Sequence, residues 1–177
     1  MKAKDLSLAA LFACFIAISA FIKIPLPVIP FTLQVFAICL TALSLTFKQT
    51  FFAILIYILL GLIGLPVFAG GMSGIQVFMS PTFGFILGFI PMALTLNTLY
   101  NRLPKKQKWL AFIASEIVLY AIALPILYFN VKMNSGVSIP LSKLLIAYWF
   151  TFIPTDTISM ILSVWVKERF LSGITRK

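Results

Sequence analysis

Four acids are the groups in this chain best suited to proton transfer or to accepting hydrogen bonds from a ligand: Asp5, Glu116, Asp156 and Glu168. There is no histidine, which removes the commonest metal ligand and the commonest general base at neutral pH. Asp5 and Glu168 stand beside Lys4, Lys167 and Arg169 and read as solvated charges. Glu116 and Asp156 lie within apolar sequence. A carboxylate at the centre of a membrane helix costs roughly 2.5–3.5 kcal/mol on insertion scales, so a residue retained there faces a cavity or a partner. Asp156 follows Pro154 in Ile153-Pro154-Thr155-Asp156-Thr157. A helix restarting at Pro154 places Asp156 in its first turn, where backbone N–H groups favour an anion. It is either a structural cap or a ligand group. Glu116 lies about two turns from the start of its apolar run, so it either leans toward the adjacent basic turn or works with Asp156.

The segment Gly61-Leu-Ile-Gly-Leu-Pro-Val-Phe-Ala-Gly-Gly-Met-Ser-Gly74 is the most distinctive stretch. Its paired glycines permit positive φ and a close approach of backbone to ligand, and N–H groups exposed in such a turn bind carbonyl or carboxylate oxygens. No GxxxxGK[ST] sequence occurs, so the chain has no nucleotide-hydrolysing loop of that kind. Ala9, Ala13 and Ala17 recur at intervals that place them on one helix face. Small residues so spaced let two membrane helices approach closely, within the chain or between subunits. Cys14 and Cys39 both lie in apolar runs and read as buried free thiols.

The elements that must position these groups are membrane helices. Of the 177 residues, 62% are hydrophobic and only 10% charged, whereas a soluble domain is near half apolar and a quarter charged. A chain this short cannot hide that much apolar surface from water. A spanning helix needs about 20 apolar residues. Six runs qualify: 6–23, 32–47, 50–65, 81–100, 109–129 and 141–166. Pro25, Pro27 and Pro30 follow the first, Lys48-Gln49 closes the second, Pro66 closes the third, Pro81 opens the fourth, and the polar stretch 130–138 follows the fifth. The last is long for one straight span. The residue before a proline resists helical geometry, which favours a break at Pro154 over a kinked helix. Ile18-Ser19-Ala20 mimics a signal-peptide cleavage site, but the further spans favour an uncleaved first helix.

The expectation is an all-α integral membrane protein forming a single six-helix domain over residues 1–177. Six spans put both termini on one side. Lys2, Lys4, Lys48, Arg102, Lys105, Lys106, Lys108, Lys167, Arg169, Arg176 and Lys177 fall on that side, and Lys23, Lys132 and Lys143 on the other, 11 against 3. The richer side is cytoplasmic, and the net charge of +10 then requires no nucleic-acid partner. Three elaborate connections, 24–31, 64–80 and 130–140, converge on the outer side. Irregular backbone near a membrane is tolerated where protein or a water-filled cavity satisfies it, which points to a pocket open to the outside.

Gly61 to Gly74, continued through Pro81-Thr82-Phe83-Gly84-Phe85 and Gly88-Phe89, resembles the signature of the BioY family of biotin transporters, the substrate-binding S components of energy-coupling factor transporters. Phe31-Thr32-Leu33-Gln34 resembles the start of that family's second helix, and Pro154-Thr155-Asp156 its Pro-x-Asp in the last. The resemblance covers about residues 6–168. It is most specific in Leu65-Pro66-Val67-Phe68-Ala69-Gly70-Gly71 and looser in the fifth span. It implies a biotin pocket near the outer face of the cell (inner) membrane, lined by Gln34, Gly70, Gly71, Thr82 and Asp156 with Phe68 and Phe85 as walls. It implies that Ala9, Ala13 and Ala17 dock a transmembrane coupling subunit that brings two ATPase subunits. Biotin is the cargo, and no cofactor or metal is expected. Many members have a lysine three residues after the aspartate, where this chain has Ser159. Backbone N–H groups, Thr82 or Lys23 are then left to meet the ligand carboxylate.

The chemistry agrees with that expectation. Biotin has a ureido group with two donors and one acceptor, an apolar bicycle and a carboxylate tail. Asp156 accepts, Gln34 both donates and accepts, and aromatic side chains wall the rings. The alternative reading is a proton-coupled secondary carrier using Glu116 and Asp156, against which stands the lack of visible repeat halves. A membrane enzyme of lipid metabolism lacks a histidine, a second nearby acid and a nucleophile motif.

Overall fold

The computed structural model describes residues 2–24, 31–136 and 140–171. Helix α1 (Ala3–Ser19) leads into a two-residue strand β1 (Lys23–Ile24), which pairs antiparallel with β2 (Phe31–Thr32) in the register Lys23 to Thr32 and Ile24 to Phe31. Helices α2 (Gln34–Ser44) and α3 (Phe47–Leu62) follow, then two short 3₁₀ turns at Ala69–Gly71 and Ile75–Met79. Helices α4 (Phe83–Arg102) and α5 (Lys108–Ser135) are joined by a tight turn at Lys105–Gln107. Helix α6 (Leu141–Leu145) passes through a widened π turn at Ile146–Phe150 into α7 (Ile153–Val166), and a second π turn covers Lys167–Leu171. The all-α expectation is met except for the small hairpin. Among the described residues, three helical stretches are long and apolar enough to cross a membrane: Phe83–Arg102, Lys105–Asn134 and Ser142–Leu171.

The expected boundaries shift for local reasons. The turn between α2 and α3 falls at Leu45 and Thr46 instead of Lys48-Gln49. Thr46 accepts the Gln49 N–H while the Gln49 side chain accepts the Thr46 N–H, a reciprocal cap that starts α3 early. Pro81 lies in the turn ahead of α4. The expected polar loop from Asn130 is helical as far as Ser135, because Asn130 Nδ2 donates to the carbonyls of Phe78 (2.8 Å) and Ser80 (2.7 Å) and Asn134 Nδ2 to that of Met79 (2.7 Å). These bonds tie the end of α5 to the second 3₁₀ turn. At Pro154 a helix does begin as expected, since α7 starts at Ile153 with the proline in its first turn, but the chain ahead of it is not extended. Thr151 and Phe152 keep helical dihedrals, and the widened turn before them absorbs the proline. Pro25, Pro27, Pro30, Ser138, Arg176 and Lys177 lie outside the described residues.

The core consists of a main cluster and a smaller one around Ala9 and Phe12. α4 packs along α5, α1 along α3, and α2 against α7. Gly84 and Gly88, one turn apart on α4, meet Ala123 and Leu119 of α5 so closely that a methyl group at either position would overlap them. This small-xxx-small approach is a membrane-helix device. Ala9 and Ala13 are fully buried and Ala17 nearly so. Ala9 sits among Phe12, Leu40, Leu45 and Ala53, and Ala13 and Ala17 belong to the main core. The alanine face therefore packs against other helices of the chain. Leu11, Cys14 and Ile18 point outward instead, so Cys14 is an exposed thiol and only Cys39 a buried one.

Candidate functional site

One cavity lies where the hairpin, the glycine-rich loop and the adjoining helix ends converge. Phe31 and Thr32 of β2, Gln34 and Val35 of α2 and Ala69 of the loop line one side. Thr82 and the first turns of α4 (Phe85, Ile86, Phe89), Tyr120 of α5, and Phe152 and Asp156 at the α6–α7 junction line the other. The helices meet here because each changes conformation at this level: α2 begins after the hairpin, α4 after the Ser80–Thr82 turn, and α7 after the π turn. Ser80 Oγ lies 2.8 Å from Thr82 Oγ1 and accepts the Thr82 N–H, which fixes the start of α4.

Asp156 is 2% exposed. Its Oδ2 accepts the Tyr120 hydroxyl at 2.7 Å, and its own N–H donates to the Phe152 carbonyl at 2.9 Å. That backbone bond is the first of α7, whose N-cap is Phe152, so Asp156 stands in the first turn of this helix as expected. Its partner is a side chain across the cavity. Tyr120 is held by rings on two sides, stacked on Trp149 at 6.0 Å and edge-on to Phe85 at 5.6 Å. On the opposite wall, Thr32 Oγ1 donates to Gln34 Oε1 at 2.9 Å and Gln34 Nε2 donates to the Tyr57 hydroxyl at 2.6 Å. These bonds orient the Gln34 amide and leave its second N–H and further lone-pair capacity for a ligand. The cavity presents one acid, one oriented amide and the hydroxyls of Thr32, Thr82 and Tyr120 within aromatic walls. Its free volume is about 50 Å³, against roughly 300–1,000 Å³ for pockets that hold an organic ligand. A ligand with two fused rings is larger than this free volume.

Of the residues singled out from the sequence, Gln34, Thr82, Phe85 and Asp156 share this cavity. Phe68 does not reach it. It is completely buried behind Tyr57, edge-on at 5.5 Å, and fills the notch left by the missing side chain of Gly61. Gly70 and Gly71 also stand off the cavity. Both are exposed at the outer side of a turn with φ of 80° and 76°, conformations that need glycine. Their role is to fold the loop back so that the preceding Ala69 forms part of the wall. Tyr120, Phe89 and Phe152 were not foreseen. The signal for Tyr120 was present, since a tyrosine inside an apolar span needs a partner for its hydroxyl and Asp156 was the unpaired acid.

Glu116 belongs elsewhere. It lines a groove of about 660 Å³ between α5 and α7, together with Lys105, Lys108, Trp109 and Trp165. The Lys108 ammonium sits 4.1 Å above the centre of the Tyr100 ring. Glu116 Oε1 is buried and has no hydrogen-bond partner among the described residues. The two intramembrane acids therefore do not line one site.

This arrangement has clear relatives. Over 135 residues the chain is 42% identical to a probable biotin transporter BioY of Lysinibacillus sphaericus, an alignment covering 73% of this chain and 68% of that one. Over 132 residues it is 39% identical to the biotin transporter BioY of Thermotoga maritima, covering 72% of this chain and 76% of the relative. Among solved structures, its fold matches the S-component for biotin from an ECF-type ABC transporter with a TM-score of 0.72 and 27% identity, covering 99% of this chain and 97% of that one. The match to the BioY family extends over residues 1–176, and this chain is a member of that family.

Proposed function

We propose that this protein is the biotin-binding S component of an energy-coupling factor uptake transporter in the cell (inner) membrane. It crosses the bilayer six times with both termini in the cytoplasm, takes biotin from the outer side and delivers it inward with a coupling subunit and two ATPase subunits. It works as a carrier and alters no bond in its cargo.

The observation that carries this reading is the pairing of Asp156 and Tyr120 opposite the Thr32–Gln34 pair in an aromatic-walled cavity. The ureido head of biotin has two N–H donors and one carbonyl. Asp156 Oδ1, which accepts no hydrogen bond from the described residues, takes an N–H. The Gln34 amide, whose orientation is set by Thr32 and Tyr57, meets the carbonyl. Phe85 and Phe89 enclose the apolar bicycle. The distribution of lysine and arginine supports an outward-facing cavity, because Lys48, Arg102, Lys105, Lys106 and Lys108 gather at the opposite helix ends.

The test is binding of radiolabelled biotin to the purified chain in lipid nanodiscs. Saturable binding at micromolar concentration or below, weakened in Asp156→Asn, is the expected result. Absence of saturable binding in that range removes the assignment.

A further inference from the structure

Among the described residues, the cavity lining holds no positive charge and Asp156 is its one charged residue, yet the ligand of the reading above ends in a carboxylate. Several groups are poorly placed to meet it. The hydroxyl and N–H of Thr82 are both engaged by Ser80. The N–H of Gly71 is bonded to the Phe68 carbonyl at 2.9 Å. Ser159 is buried, and the cavity lining does not include it.

The hairpin supplies another candidate. Thr32 and Lys23 are directly opposed in the antiparallel pair β1–β2. Opposed residues project from the same face of the ribbon with Cβ atoms about 4.5–5.5 Å apart. Thr32 is turned into the site, because its hydroxyl bonds Gln34 and both residues line the cavity. Lys23 therefore starts on the site-facing side of the ribbon, one strand further out, where it is exposed. Its flexible four-carbon stem carries a point charge that adapts to a mobile carboxylate. Two other cations lie toward this end. The Lys132 ammonium sits 6.0 Å from the centre of the Tyr128 ring, and Lys143 belongs to α6. Neither has a register contact to the lining.

We infer that Lys23 is the cation that receives the ligand's carboxylate at the mouth of the cavity. This assignment rests on the biotin reading. It divides the recognition in two: the ureido head is read deep in the bundle by Asp156 and Gln34, and the acid tail is read at the surface by the hairpin.

The test compares biotin with biotinamide, its uncharged amide, in full-length protein in nanodiscs. Lys23→Ala is expected to weaken biotin about 3- to 5-fold, the upper part of the range for an exposed ion pair. It should change biotinamide less than about 2-fold, and Lys23→Arg should retain most biotin affinity. The wild-type preference for biotin over biotinamide should fall with added salt, and Lys132→Ala and Lys143→Ala should keep it. Unchanged biotinamide affinity also shows that the variant is folded. An unaltered biotin-to-biotinamide ratio in Lys23→Ala overturns the assignment and leaves the biotin reading intact. A wild-type protein that binds neither compound overturns both.

Discussion

A methyl group added at Gly84 tests how the site is held. A Cβ there would lie 2.7 Å from the Ala123 carbonyl oxygen, 2.8 Å from Ala123 Cα and 3.0 Å from Ile126 Cβ. Ordinary contact begins at 3.4 Å, so α4 and α5 must part by about 0.7 Å, the difference between 3.4 and 2.7. Two of these obstacles are backbone atoms and cannot rotate away. Overpacking of this kind costs about 1–3 kcal/mol, and we place Gly84→Ala near the upper end. Replacing glycine by alanine in a helix returns at most about 1 kcal/mol, leaving a net loss near 2 kcal/mol. Gly88→Ala is the matched control. There the nearest atom is the flexible end of Leu119 at 2.8 Å, while the backbone stands off at 3.3 Å, so crowding and helix gain nearly cancel. Thermal unfolding in detergent, followed by tryptophan fluorescence, should show a midpoint about 4–8 °C lower for Gly84→Ala and little change for Gly88→Ala. Tyr120 is three residues from Ala123 on α5, so the same displacement should loosen its bond to Asp156 and weaken ligand binding. Equal midpoints for the two variants, or a larger drop for Gly88→Ala, would refute the reasoning.

Asp156→Asn should weaken biotin about 10- to 100-fold, the range for losing a hydrogen bond to a charged group, and Tyr120→Phe should do less because the acid remains; equilibrium radioligand binding separates the two. Phe68→Ala should lower stability by about 3–5 kcal/mol, since the ring fills a sealed notch, while the protein that stays folded keeps its ligand affinity; unfolding and binding measured on one preparation check both halves. Asn97 Nδ2 donates to the carbonyls of Ala42 (2.7 Å) and Leu45 (2.8 Å) at the end of α2. Asn97→Leu leaves two buried acceptors short of a donor and should cost about 1–3 kcal/mol, read as a lower unfolding midpoint.

Helical runs were legible because apolar stretches bounded by prolines and charges leave little choice of structure in lipid. Asp156 was legible because an acid in such a run is expensive unless it has a task. What the sequence hid lay in side-chain partners across the fold. Lys48 and Gln49 look like a polar turn, but the capping exchange between Thr46 and Gln49 draws both into α3. Asn130 and Asn134 look like loop residues, but the carbonyls they satisfy belong to a segment about 50 residues earlier. Gly70 and Gly71 were recognised as special without revealing that the turn they permit delivers Ala69 to the wall. The spacing of Ala9, Ala13 and Ala17 was equally compatible with internal and external helix contacts, and only the packing of α1 shows the internal ones.

Helix α2 has a consequence for how the protein is made. With 11 residues it is about 16 Å long, roughly half the thickness of the hydrocarbon layer. All of its residues except Phe36 are buried by the rest of the bundle. During synthesis, when those neighbours are not yet in place, so short a segment has little ability to hold a position in the bilayer by itself. Its insertion must then be completed late, as α4 and α7 arrive to sheathe it, making the first half of the chain dependent on the second for its topology.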